Sequence, residues 1–166
     1  MSSYFEFSFN VLLKEEKPHS VWEVLHAYQE ISQHGSIQTQ PSLPSEEFFA
    51  DGVWEGAFGL ETSFAGFPGC FFARLERSYQ YTKSGTDYEF DSFSMRAVIH
   101  DDVYGSHFAF LDWLLPHCET QGFIGHEREE LTPRPTLFYN FDSRLYRLKI
   151  EDNPRCIESN REYELD

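Results

Sequence analysis

Residues 4 to 13 alternate, with Phe5, Phe7, Phe9, Val11 and Leu13 on one side and Glu6, Ser8 and Asn10 on the other. A period of two is the pitch of a half-buried strand, so this segment must lie on a layer that covers one of its faces. Lys14 to Pro18 breaks the pattern. Ser20-Val21-Trp22-Glu23 has the form of a capping box, and Val21, Val24, Leu25, Tyr28 and Ile31 then recur at helical spacing as far as Gly35. The first two elements are therefore a strand and an amphipathic helix.

Alternation returns twice. Trp54, Phe58, Leu60 and Phe64 share a parity, which predicts a strand over residues 53 to 64, followed by a turn at Gly66, Pro68 and Gly69. Phe71, Ala73, Leu75, Tyr79 and Tyr81 predict its antiparallel partner, with Leu60 facing Leu75, Phe64 facing Phe71, Trp54 facing Tyr81, and Glu61 opposite Arg74 on the reverse side. After a turn at residues 83 to 86, Tyr88 and Phe90 keep one parity whereas Phe93, Met95, Ala97 and Ile99 take the other, which predicts a β-bulge within residues 91 to 94. Asp101-Asp102 precedes a second helix marked by Tyr104, Phe108, Leu111, Leu114 and Leu115 and ended by Pro116. Residues 121 to 127 form a short strand candidate, and residues 137 to 141 and 144 to 150 a hairpin about Asp142-Ser143.

This order predicts an α+β fold, a mostly antiparallel sheet with two helices packed on one face, for which a ferredoxin-like variant is one connection. Residues 1–150 are expected to form one domain and residues 151–166 an acidic, polar tail. Hydrophobic residues make up 40% of the 166, and 17 are Phe, enough apolar surface to offset the ordering of the chain despite a formal charge of −15.

The charge sets the class of partner. Residues 35 to 68 carry five carboxylates and no Lys or Arg, and the last sixteen residues have a net charge of −4. Nucleic acid and anionic membranes are disfavoured, because both bind by giving up counterions to cationic groups. The three cysteines, Cys70, Cys118 and Cys156, are far apart and form no CxxC pair, which is the pattern of free thiols in a reducing, cytoplasmic setting. No basic n-region with an apolar run opens the chain, and its longest apolar stretch is too short to span a bilayer.

A basic protein partner is the expectation, met through Glu46, Glu47, Asp51, Glu55 and Glu61 and, across the sheet, by an outward acidic row of Asp87, Glu89 and Asp91. Phe48 and Phe49, adjacent rings in a polar loop, are the expected exposed anchors. The chain then reads as a small non-enzymatic binding protein, of the inhibitor or immunity type. No catalytic residue, metal or cofactor is assigned. The alternative is a hydrolase or metal-dependent enzyme using His100, Asp102, His107 or His126, and a third reading is a subunit that self-associates through its sheet edge. Against the enzyme stands the lack of HExxH, paired CxxC, GxSxG or phosphate-loop patterns, and Asp101 and Asp102 have a simpler use as carboxylates at a helix start.

Overall fold

The computed structural model describes residues 4–58, 63–64, 67–68, 71–81, 87–130, 132, 134–150 and 157–159. In chain order the elements begin with strand β1 (Tyr4–Leu12), helix α1 (His19–His34), a 3-10 turn at Glu47–Gly52 and the single-turn helix α2 (Val53–Gly56). Two short strands, β2 (Ser63–Phe64) and β3 (Phe67–Pro68), lead to β4 (Phe72–Tyr81) and the long β5 (Asp87–His100). A 3-10 turn at Asp101–Val103 and helix α3 (Ser106–Leu114) follow, then β6 (Gly122–Glu129), β7 (Thr136–Phe141), β8 (Arg144–Lys149) and β9 (Ile157–Ser159). The mixed α+β class and the antiparallel sheet are as the alternation predicts.

Among the described residues seven strands form one antiparallel sheet in the order β4-β5-β1-β6-β7-β8-β9, and β2 pairs with β3 separately. The first strand lies inside the sheet, with Phe7 opposite Ala97 of β5 and Glu127 of β6. Its odd-numbered side chains face the helices: Phe7, Phe9 and Val11 are buried together with Phe93, Met95, Ala97 and Ile99. Helix α1 packs on β4, and α3 reaches β8. Gly35 closes α1 with φ 75°, where its N–H donates to the Ile31 carbonyl, a conformation that costs glycine least. The predicted capping box is absent, since Ser20 lies within the helix and Pro18 holds the cap position without a side-chain bond. Among the described residues no helix is long and apolar enough to cross a membrane.

The space between the two helices is filled by the segment expected to be a loop and a strand. Phe48 packs 5.8 Å from Phe110, Phe49 meets Trp113 edge-on at 4.8 Å, and Phe58 meets Phe110 edge-on at 5.3 Å. Trp54, on α2, lies edge-on to Tyr28, whose hydroxyl donates to the Trp54 carbonyl at 2.8 Å. Residues 53 to 56 are thus helical, and among the described residues β4 is bordered by β5 alone. The expected pairing with β4 does not form at Trp54, and Leu60 and Glu61 lie outside the described residues. Spacing alone could not separate these cases, because rings at 48, 49, 54 and 58 fill a core equally well from turns.

Nor does β5 carry a bulge. It pairs with β4 without interruption from Tyr81 opposite Asp87 to Phe72 opposite Arg96. Phe90 therefore belongs to the face away from the helices, a face that also bears exposed Phe72, Phe123 and Phe141, so apolarity there does not report burial. The irregularity lies instead in β6, between Phe123 and Gly125, where Ile124 turns inward to 3% exposure and Phe123 remains outside. Gly125 is required at that point, since a Cβ would collide with the Ser8 carbonyl oxygen and stand 2.7 Å from the Phe9 Cα.

The second hairpin is as expected. Asp142 and Ser143 both have positive φ, 52° and 63°, the conformation of a two-residue type I′ turn, and Tyr139 stands opposite Tyr146. Within the segment expected to be a tail, Ile157–Ser159 extends the sheet by pairing with β8.

Candidate histidine–carboxylate site at one end of the sheet

Strand β1 begins where β5 and β6 end, with Tyr4 opposite His100 and Phe5 opposite Glu129. Two histidine–carboxylate groups flank this end. The first forms where β5 turns toward α3. His100 is still extended (φ −79°, ψ 150°), and the following 3-10 turn folds Asp101 and Asp102 back over its ring. Its Nδ1 lies 2.9 Å from Asp101 Oδ1 and 3.2 Å from Asp102 Oδ2, and it accepts the Asp102 backbone N–H at 3.1 Å. The side chains are 32%, 39% and 85% exposed. Asp101 and Asp102 do not cap α3 as predicted, because α3 starts from Gly105, at φ 106°.

Electrostatics makes this first group unusual. A nitrogen that accepts an N–H presents a lone pair, and two carboxylate oxygens beside a lone pair repel it. A cation shared by the nitrogen and the two carboxylates removes the conflict. Ligands placed around an octahedral ion at ~2.1 Å stand about 3 Å from one another, a spacing that the two nitrogen–oxygen separations match.

The second group is interior. Its Glu127 carboxylate takes the Tyr104 hydroxyl at 3.0 Å on one oxygen and His107 Nε2 at 2.8 Å on the other. The His107 and Glu127 side chains are 0% and 7% exposed. Rings of Phe7 and Phe108 enclose the imidazole at 5.2 and 3.9 Å. Burial pushes the His107 pKa below its usual value, although the bond to Glu127 opposes this, so the ring is neutral and Nε2–H donates. Its Nδ1 is buried without a hydrogen-bond partner among the described residues. Burial, reinforced by Glu127, raises the Tyr104 pKa, and the phenol remains a donor.

Beside Tyr104 and Glu127 opens a pocket of about 410 Å³ that Phe5, Glu129, Arg134 and Lys149 also line. Cations and carboxylates share its wall, and the Thr132 hydroxyl donates to Glu129 at 3.0 Å. The structure brings His100, Asp102 and His107 to this end but not His126, which pairs with Ser8 on the opposite face of the sheet. Glu127 is not among the candidate residues of the sequence, where it stands only in a mixed charge run. A signal existed, since His107 sits three residues after Tyr104 and four before Leu111, inside the apolar stripe of α3, where a polar side chain needs a buried partner.

The residues expected to bind a basic protein differ in burial. Glu46, Glu47 and Glu55 are exposed, whereas Phe48 and Phe49, the expected anchors, are core residues at 8% and 4% exposure. Asp91 is also no part of an outward row. It is buried on the helix side, paired with Lys17 at 2.8 Å and Arg77 at 3.0 Å. Burial raises its pKa, but these two cations prevail and leave it below the ordinary value. Asp87 and Glu89 stand opposite Tyr81 and Tyr79 in β5, and their side chains, with that of Asp51, lie outside the described ones, as does all of Glu61. Cys118 is a buried free thiol, pushed up to about 12 by burial, and is unsuited to attack as a thiolate.

No protein-family model, curated protein or solved structure matches this chain.

Proposed function

We propose that this protein is a metal-dependent hydrolase whose working end is the junction of β1, β5 and β6. The observation that carries the reading is the convergence of His100, Asp101 and Asp102, whose ligand atoms all lie within 4.8 Å of one another. His100, Asp101 and Asp102 would hold a divalent ion there, and such an ion would activate water for hydrolysis. Arg134 and Lys149 line the neighbouring pocket and offer cationic contacts to an anionic group of the substrate. The scaffold we infer is ferredoxin-like: the succession β1, α1, β4, β5, α3, β6 with spatial order β4-β5-β1-β6 supports a βαββαβ unit, extended by β7, β8 and β9. The test is hydrolysis of generic phosphate and carboxylate esters by protein loaded with Mn²⁺. Turnover lost in His100→Ala and in Asp102→Asn, with unchanged folding, is expected, and turnover equal in all three proteins contradicts the reading.

A second reading, a non-enzymatic binder of a basic protein, is favoured by the exposure of Glu46, Glu47 and Glu55 in a chain of formal charge −15. Reversing these three charges should then weaken capture of a deca-lysine peptide at least tenfold. Undiminished capture contradicts it.

A further inference from the structure

The helices and the segment between them cover one face of the sheet, and on the other face large rings remain in solvent. Phe72, Phe123 and Phe141 are 46%, 55% and 47% exposed. Three of the rings there form a ladder, with Phe123 edge-on to Tyr139 at 5.8 Å and Tyr139 stacked on Phe141 at 6.0 Å, and Tyr146 closes it edge-on to Phe141 at 5.6 Å. Exposed aromatic surface gathered on one face is unusual in a chain that has a filled core elsewhere.

The charge on this face departs from that of the whole chain. Glu6, with only 10% of its side chain exposed, is held by Arg96 and by Arg128, each of which keeps 41% exposure. Arg74 is 59% exposed beside Glu76, and Arg144, at the start of β8, is exposed. The face therefore shows guanidinium groups outward, although the formal net charge is −15. Between Phe72 and Phe123 runs a groove of about 420 Å³ floored by Ser8, Asn10, Ser94 and Arg96.

We propose that this bare face is an interaction surface for an acidic protein segment in extended form, whose carboxylates meet the arginines and whose apolar side chains lie on the aromatic ladder. Arginine with aromatic side chains is the composition of energetic centres in protein interfaces, and guanidinium pairs with carboxylate through two parallel bonds. A basic partner is opposed by the arginines. Face-to-face pairing of two copies sets guanidinium against guanidinium.

The test is fluorescence anisotropy with a labelled (Glu-Tyr)₄ peptide against the full chain, with (Lys-Tyr)₄ and an eight-base oligo-dT as comparators. The expected result is saturable binding of the acidic peptide alone, weakened by added salt and at least tenfold by Phe123→Ser or Arg144→Glu. Thermal melts of these two surface variants should match the parent, and His100→Ala should bind the peptide normally, which separates this surface from the proposed metal site. Absence of saturation by (Glu-Tyr)₄, equal binding of (Lys-Tyr)₄, preference for oligo-dT, or a dimer in sedimentation that buries the ladder would each overturn the assignment.

Discussion

His100 and His107 flank the start of α3, each beside carboxylates, yet they are built for different work. His107 and Glu127 are out of water, joined at 2.8 Å and surrounded by rings. His100 has solvent on one side and two carboxylates on the other, one of them 85% exposed. The lesson is that residue type does not decide the role of a histidine–carboxylate pair. Burial does: it keeps the interior imidazole neutral and makes the pair a latch between α3 and β6, while exposure leaves the outer group open to an ion from solvent.

The largest expected effect comes from breaking the latch. Glu127→Ala leaves His107 and the Tyr104 hydroxyl without their acceptor, and the loss of stability should be about 3 kcal/mol by urea denaturation. A change below 1 kcal/mol would mean that α3 is held without it. Next is Gly125→Ala, which attacks the irregularity that precedes Glu127 in β6. The collision with Ser8 should cost about 2 kcal/mol, and a variant as stable as the parent would contradict the close approach of the two strands.

Acid should also separate the two groups. His107 is neutral in the folded protein and its pKa is depressed, so below about 6.5 the unfolded chain binds a proton that the folded chain does not. Stability must then fall as pH drops from about 6.5 through the folded value, and His117, depressed by burial and by Lys14, adds to the fall with the same sign. A denaturation midpoint that is flat or rises between pH 6.5 and 5 would contradict a neutral interior imidazole. The smallest stability change belongs to the outer group, where His100→Ala should cost about 0.5 kcal/mol, as expected of a partly exposed ring with one local backbone bond and an edge contact to Tyr4.

How much of this was legible in the sequence follows the same division. The alternation of Phe5 to Leu13, the stripe of α1 and the Asp142-Ser143 hairpin declare themselves because each is a periodic segment with one covered face. Phe48, Phe49, Trp54 and Phe58 were misread because their rings enter the core from a 3-10 turn, a single helical turn and the residues just after it, none long enough to show a period. The bare face bears rings as well, which hid the true parity of β5. At the site, Asp101 and Asp102 had the appearance of capping acids, but the glycine at 105 took that place and freed them to turn toward His100. Glu127 depended on a contact twenty residues away in the chain, and only the polar interruption at His107 pointed to it.

The most direct measurement is a Mn²⁺ titration of the intact chain, followed by calorimetry and by the paramagnetic broadening of histidine ring resonances. The account predicts one ion per chain, broadening at His100 before His107, and no binding in His100→Ala or Asp102→Asn. A chain that takes up no Mn²⁺ at millimolar concentration, or one that binds it equally after either substitution, would contradict the assignment of the exposed group as the functional one.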